Sequence, residues 1–183
     1  NLTENFHLNS DNILTNVSST TLFNAQSTSE NGRYIYTRPE VTINNDNNLW
    51  LYFGTGNTQK LHEQSNKIKN RLYGIKDIDF PKYLNISTPG DVSPCKPPPD
   101  CPQPNDQGWY IDLQNYQKLT AEPTVDKDRV YFPIYEPTTV ANACNTGKAI
   151  LRLALIHISD PTRQHSIAYA VVCCKNLLYC FLQ

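Results

Sequence analysis

One pattern occurs twice in the chain and limits its possible folds: a Pro-x-Val segment, a polar corner, and an apolar stretch that ends in Tyr-Phe. The first copy spans residues 38–53 with its corner at 44–48, and the second spans 121–132 with its corner at 126–128. Asn and Asp tolerate positive φ and bond their own backbone at tight corners. A proline is tolerated at the start of a first strand, where its missing N–H is not needed. Each copy therefore predicts a β-hairpin.

The composition also favours strands over helices. The 183 residues include 13 prolines and 11 tyrosines, and Ala and Glu are sparse, which is a poor composition for helices. Further strands are predicted at 33–36, 72–75 and 108–113, with one or two short strands before residue 29. Residues 61–71 are polar and form at most a short surface helix. We expect an all-β chain.

A proline-rich segment at about 79–106 separates the two predicted hairpins. Its prolines remove backbone donors and fix φ, so it is neither a helix nor a central strand, and it is predicted to be an exposed insertion. Without this insertion the hairpins recur after roughly 40–60 residues, which is the range of β-propeller blades.

Charge and hydropathy exclude two classes of partner. The formal net charge is −1 and only 18% of the residues are charged, so there is no electrostatic reason to expect nucleic acid or an anionic membrane surface. Every apolar run, including that at 153–156, is far shorter than the roughly 20 residues of a spanning helix, so no membrane-spanning segment is expected. The chain has no Met and no visible signal peptide, and we expect it to be a fragment.

No arrangement of residues predicts catalysis. The four His, at 7, 62, 157 and 165, are scattered and lie near no nucleophile elbow. The Gly54-Thr55-Gly56 stretch follows a strand, as a phosphate loop would, but it lacks the further Gly and Lys of such loops. We interpret it as a tight turn, because Gly suits such a corner. No catalytic or cofactor-binding residue is predicted, and we expect no enzyme.

The corner at 44–48 is rich in oxygen atoms that could bind calcium. Only Asp46 in it is charged, and the calcium-loop pattern with its distal Glu is absent. The plain hairpin turn is the favoured interpretation, and no metal ligand is predicted. No cofactor is expected in this chain.

Cys95 and Cys101 lie six positions apart in the proline-stiffened segment. They are candidates for a small disulfide ring, which would indicate an oxidising, extracytoplasmic compartment. Free thiols and a metal site, for which a second pair of ligands is missing, are the alternatives.

The aromatic residues of the predicted strands allow two interpretations. They pack between sheets, which is the favoured interpretation, or they form a binding surface. They are Trp50, Tyr52, Tyr73, Trp109, Tyr110 and Tyr131.

Several stretches, taken together, resemble the C-terminal β-propeller of the PilY family of type IV pilus tip adhesins and biogenesis factors. Their order and spacing over roughly residues 20–153 carry the resemblance. They are TRPEV at 37–41, LWLYFGTG at 49–56, RLYGIKD at 71–77, GWYIDL at 108–113, TAEPTV at 120–125, RVYF at 129–132 and ACNTG at 143–147.

The resemblance implies an all-β fold, a partial β-propeller of two to three blades of antiparallel strands in an incomplete ring, because so few blades cannot close one. It implies a role at the tip of type IV pili in fibre assembly against retraction, in adhesion and in surface-associated motility. The implied partners are minor pilins, the pilus fibre and a host or abiotic surface. The implied location is extracytoplasmic, at the pilus tip, the cell surface or the outer membrane. The family's calcium ion is implied for the parent only, since no Asp-rich loop is present here.

The end of the chain is interpreted separately. Residues 1–153 are assigned to the propeller fragment, and residues 154–183 resemble translated read-through of a sequencing adapter, which would make them a non-native tail. The alternative is a genuine final strand pair with three cysteines, at 173, 174 and 180.

Two other functions fit an all-β repeat. One is a fragment of a quinoprotein-like propeller enzyme, which would need a central pocket formed by many blades. The other is a generic carbohydrate- or protein-binding β module, which would be favoured if Trp50 and Trp109 were exposed on one face. We expect the non-catalytic pilus-tip segment, because fold alone does not fix function and the sequence motifs favour that family.

Overall fold

The computed structural model of the chain describes residues 2–4, 20–44, 47–77, 80, 93–94, 107–114, 116–127, 129–138, 147–155 and 169–170. Within these residues every regular element is a β-strand, so the predicted all-β class is confirmed. Near the N-terminus, β1 (Leu2–Glu4) and β2 (Thr20–Phe23) pair antiparallel. No helix of the described residues is long and apolar enough to cross a membrane.

The first sheet has five strands in the order β3-β4-β5-β7-β6. The long pairings are antiparallel, and the two-residue β6 lies at the edge, parallel to β7. Its strands are β3 (Glu40–Ile43), β4 (Leu49–Gly54), β5 (Arg71–Asp77), β6 (Ser93–Pro94) and β7 (Gly108–Asp112).

The second sheet is also antiparallel, with β12-β11-β10-β8 as its main order. The strand β10 pairs with β11 along one edge and with both β8 and β9 along the other. Its strands are β8 (Lys118–Leu119), β9 (Thr124–Asp126), β10 (Arg129–Glu136), β11 (Lys148–Leu155) and β12 (Tyr169–Ala170).

The two sheets pack face to face through what we call the inter-sheet core. Alternate residues of a strand point to opposite faces, so one face of each sheet supplies this core. The ring of Trp109 meets that of Phe132 edge-on at a centroid separation of 6.2 Å. The first sheet contributes Trp50, Tyr52, Leu72, Trp109 and Ile111, joined by Leu113, and the second contributes Leu119, Val130, Phe132, Ile134 and Ala154.

The other face of the first sheet is covered by the end of β2 and the chain that follows it. Phe23 and Ala25 are buried there against Phe53, Tyr73 and Ile75. Phe23 lies 5.1 Å from Tyr73 and 5.9 Å from Phe53, measured between ring centroids. The first sheet is therefore the middle layer of three, between this N-terminal segment and the second sheet.

Both predicted hairpins are confirmed. β3 pairs with β4 across the corner at 44–48, and β9 pairs with β10 across the corner at 126–128. The strands predicted at 72–75 and 108–113 correspond to β5 and β7.

One local prediction was wrong. Residues 33–36 form no strand, although the Gly56 N–H donates to the Tyr34 carbonyl at 2.9 Å. Residues 61–70 form turns without a helix, which agrees with the expectation of at most a short helix there. The finer part of the predicted fold, a propeller, stays a prediction, because the two stacked sheets are not closed into a ring within the described residues.

Most of the proline-rich segment lies outside the described residues, and so do all six cysteines, including Cys95 and Cys101. The disulfide stays a prediction, as does the nature of residues 154–183. The predicted boundary at 153 falls inside β11, which ends at Leu155.

Candidate functional site

The Gly54-Thr55-Gly56 stretch is buried between the sheets and is not a tight turn. Neither glycine has a positive φ. A Cβ on Gly54 would lie 2.8 Å from Leu72 Cδ2, and one on Gly56 would lie 2.7 Å from Lys118 Cβ. Close approach of the chain, rather than a strained corner, explains both glycines.

Thr55 fixes the end of β4 to the neighbouring chain on both sides. Its N–H donates to the Arg71 carbonyl at 2.9 Å, its carbonyl accepts from the Leu119 N–H at 3.1 Å, and its hydroxyl oxygen accepts from the Arg71 N–H at 2.9 Å. Thr55 is fully buried. Its groups therefore connect strands and do not face a ligand.

The corner at 44–48 is a plain hairpin turn in its described part. Asn47 has a φ of 61°, the conformation that Asn tolerates. The Asn48 N–H donates to Asn44 Oδ1 at 2.9 Å. The only charged member, Asp46, lies outside the described residues. Among the described residues no group of three His, Cys, Asp or Glu side chains is placed to hold a metal.

The two tryptophans belong to the core. Trp50 is 6% exposed and Trp109 is 2% exposed, so they form no exposed aromatic face. Trp50 stacks on Tyr52 at 5.9 Å between centroids, and Tyr52 lies 6.1 Å from Trp109. The exposure that would have favoured a carbohydrate-binding module is therefore not found.

A buried polar network holds the loop at 57–70 against the second sheet. Asn70 is buried, accepts a 3.3 Å hydrogen bond from the Thr55 hydroxyl and donates through Nδ2 to the Gln117 carbonyl at 3.0 Å. Gln117 in turn donates through Nε2 to Glu136 Oε2 at 2.6 Å. The end of the loop is thus fixed between Thr55, which follows β4, and Gln117, which precedes β8.

Lys118 is the most unusual member of this network, because a charged side chain 1% exposed is rare. Its Nζ donates to the Glu63 carbonyl at 2.8 Å and to the Tyr116 carbonyl at 3.2 Å. Burial lowers the pKa of Lys118, and the charge of Glu63 acts in the opposite direction. Since both acceptors are backbone carbonyls of loops, the contact ties those loops together.

A second charged group lies on the face of the first sheet that is turned away from the second. Arg71 Nε donates to Asp112 Oδ1 at 2.6 Å, and the guanidinium carbon lies 4.0 Å from the Tyr110 ring centroid. Arg33 lies near enough for the charges of Arg71 and Asp112 to act on it, and its Nε donates to the carbonyl of Lys69, two residues before Arg71, at 2.9 Å. We call Arg33 and Arg71 the arginine pair.

The electrostatics of the arginine pair are unbalanced. Burial lowers the pKa of Arg33, and so does the positive charge of Arg71. Burial also acts to lower the pKa of Arg71, but the hydrogen bond and charge of Asp112 outweigh it, and the net direction is upward. The single negative charge of Asp112 therefore acts on two positively charged guanidinium groups.

Neither the arginine pair nor Lys118 was predicted from the sequence. Only the contact between Arg71 and Asp112 could have been predicted from the sequence. Arg71 and Asp112 are charged residues at the ends of two apolar strands, and antiparallel pairing of those strands places them opposite each other. Nothing in the local sequence indicates that Arg33, in an irregular segment, would reach the same place.

Comparison of the chain with protein-family models, curated proteins and solved structures finds no match.

Proposed function

We propose that the chain is a non-catalytic segment of a β-propeller in a type IV pilus tip protein, where it supports pilus biogenesis, adhesion and surface-associated motility. Minor pilins, the pilus fibre and a host or abiotic surface would be its partners, in an extracytoplasmic location. The sequence resemblance to the PilY family suggests this role. The observation that carries the proposal is the equivalence of the two hairpins.

The two hairpins share one register. Val41 lies opposite Leu51 in the first hairpin, and Val125 lies opposite Val130 in the second. One step along, Tyr52 faces Glu40, and Tyr131 faces Thr124. The Tyr-Phe ends of the two copies, 52–53 and 131–132, are therefore equivalent in strand register as well as in sequence.

The equivalent residues also face the same way along the stack of layers. Phe53 points from the first sheet to the N-terminal segment, and Phe132 points from the second sheet to the first. Each Phe thus faces the layer that precedes its own sheet. Tyr52 faces the layer that follows. Successive sheets stacked with a constant facing direction are what propeller blades require.

The residues that carry the resemblance are used for packing. The glycines at 54 and 56, Gly74 and the aromatic side chains around them lie in or beside the two cores. Because these residues are used for packing, the motif favours a scaffold that acts through its surfaces over an enzyme that acts through a reacting group.

Pilus-tip location can be tested directly. Antibodies raised against this chain should label the ends of pili purified from the source organism, in immunogold electron microscopy. Disruption of the gene should reduce the number of surface pili, and a second mutation that disables retraction should restore them. Labelling along the whole fibre, or unchanged piliation after disruption, would contradict the proposal.

A pair of substitutions links that phenotype to the fold. Phe132→Ala removes a buried ring of the inter-sheet core, whereas Tyr36→Ala removes an exposed one. Introduced into the chromosomal gene, Phe132→Ala should lower the number of pili and Tyr36→Ala should leave it unchanged.

A further inference from the structure

The arginine pair has more positive charge than its surroundings balance. Arg33 and Arg71 together contribute two positive charges, and Asp112 contributes one negative charge. Asp112 is engaged through Oδ1 by Arg71 Nε. In the described part of the chain, the contacts of the Arg33 guanidinium leave its two Nη groups without an acceptor. Arg33 is half-buried, so its charge is less hydrated than a fully exposed one.

We propose that the arginine pair binds one carboxylate group, with the two Nη groups of Arg33 as the principal donors. A guanidinium presents parallel N–H groups that match the two oxygens of a carboxylate. Arg71, at the start of β5, contributes its positive charge. The site is separate from pilus assembly and does not depend on the function proposed above.

The charges favour a single carboxylate over a phosphate or sulfate. A monoanion neutralises the net charge of the group formed by Arg33, Arg71 and Asp112. A dianion would leave an excess negative charge beside the Asp112 carboxylate, and two neighbouring negative charges repel each other. The Tyr110 ring, which lies against the Arg71 guanidinium, adds an apolar wall to the site.

The position of Arg33 is fixed before any ligand binds. Its N–H donates to Asn31 Oδ1 at 3.2 Å, and the Lys69 N–H donates to the Asn31 carbonyl at 2.9 Å. Gly32 packs so closely on Ile68 that a Cβ would lie 2.9 Å from Ile68 Cγ2. Since the backbone and the Nε of Arg33 are both held, binding needs little ordering of this side chain.

The test is an NMR titration of the full chain at constant ionic strength, observing the backbone amides of residues 31–33, 71 and 112. One arm uses sodium acetate, and another uses a short peptide with blocked ends and a single Glu. A third arm uses sodium sulfate. We expect saturable shifts with acetate, with the peptide or with both, and weaker binding of sulfate. Binding of acetate alone identifies a small free carboxylate as the ligand, and binding of the peptide alone identifies a side chain of a polypeptide.

Substitutions of Arg33 test whether the carboxylate binds at the arginine pair. Arg33→Gln should weaken carboxylate binding roughly tenfold, the effect of losing one charge-assisted bidentate contact. Arg33→Lys should retain part of the affinity, because it keeps the charge and loses the fork. Arg38→Gln is the matched control, since Arg38 is exposed and pairs with Glu122, and it should bind as the unaltered chain does.

Three results would overturn the proposal. They are the absence of a saturable shift with both acetate and the peptide, sulfate binding tighter than either, and equal weakening by Arg33→Gln and Arg38→Gln. The far-ultraviolet circular dichroism of each variant establishes that it is folded. If Arg33→Gln does not fold, the comparison of Arg33→Lys with Arg38→Gln decides.

Discussion

At the scale of single residues, the contact between Gly74 and Trp109 explains why a glycine stands in the middle of a buried strand. The two residues are opposite each other in β5 and β7, and a Cβ on Gly74 would lie 2.5 Å from Trp109 Cε2. Gly74 does not have a positive φ. Its lack of a side chain, rather than its backbone freedom, is therefore what the position requires.

Gly74→Ala should lower the free energy of unfolding by about 1–3 kcal/mol, the usual cost of inserting a methyl group into a packed core. Urea denaturation followed by tryptophan fluorescence measures the change. The double variant Gly74→Ala with Trp109→Leu should lose less than the sum of the two single variants, because the smaller side chain removes the clash. Strictly additive losses would contradict the steric explanation.

A second prediction at this scale concerns the Thr55 hydroxyl, which accepts the Arg71 N–H in a buried place. Thr55→Val keeps the shape and removes this acceptor. We expect the free energy of unfolding to fall by about 1–3 kcal/mol, since a buried N–H is left without a partner. Thr58→Val, in the following loop and half-buried, is the control and should change it far less. Equal effects of the two substitutions in urea denaturation would count against this role.

At the scale of elements, the hairpins were predictable and the irregular segments were not. The hairpin signal is local, because the corner at 44–48 forms its own turn through Asn44 and Asn47. The conformation of residues 33–36 depends on Gly56 and Lys69, which are distant in sequence. A strand-like composition at 33–36 therefore predicted the wrong element, since tertiary contacts override local preference.

The candidate site was predictable to an even smaller extent. Burial of the aromatic side chains follows from strand alternation. The arginine pair, in contrast, needs the pairing of β5 with β7 and the path of the chain near Arg33, neither of which can be read from spacing. Lys118 is likewise explained only by the carbonyls of Glu63 and Tyr116, contributed by two loops.

Lys118 gives these loops a specific dependence on pH. Burial puts its pKa in the folded chain below the ordinary 10.5. Between the folded pKa and 10.5, the unfolded state binds more protons, so the contribution of Lys118 to the free energy of unfolding rises with pH in that window. Below the window the penalty of a buried charge is fully present. Lys118→Met should remove this rise.

The measurement is the difference in urea unfolding free energy between the unaltered chain and Lys118→Met across alkaline pH. Using the difference cancels the contribution of Tyr52 and Tyr73, whose pKa values burial raises and which therefore act in the opposite direction. Lys127→Met, at the exposed corner before β10, is the control and should leave the profile unchanged. A flat difference profile for Lys118→Met would show that burial does not disfavour its charge.

At the scale of the whole molecule, the two faces of the second sheet differ in how far they are buried. Phe132 faces the first sheet and is fully buried, whereas Tyr131 lies on the opposite face and is half-buried. Its equivalent in the first hairpin, Tyr52, is fully buried beneath the second sheet. If the stack continues in a longer parent protein, a following sheet covers Tyr131 as the second sheet covers Tyr52.

If the chain belongs to such a parent, three alanine substitutions should rank differently in the two proteins. In this chain we expect Phe132→Ala to cost about 3–5 kcal/mol, Tyr52→Ala a similar amount and Tyr131→Ala much less, because the cost follows the buried volume removed. In the parent, Tyr131→Ala should approach the cost of Tyr52→Ala. Chemical denaturation of both proteins measures the six values. A small cost of Tyr131→Ala in both would mean that no further sheet follows, since a ring buried between two sheets cannot be removed without leaving a cavity.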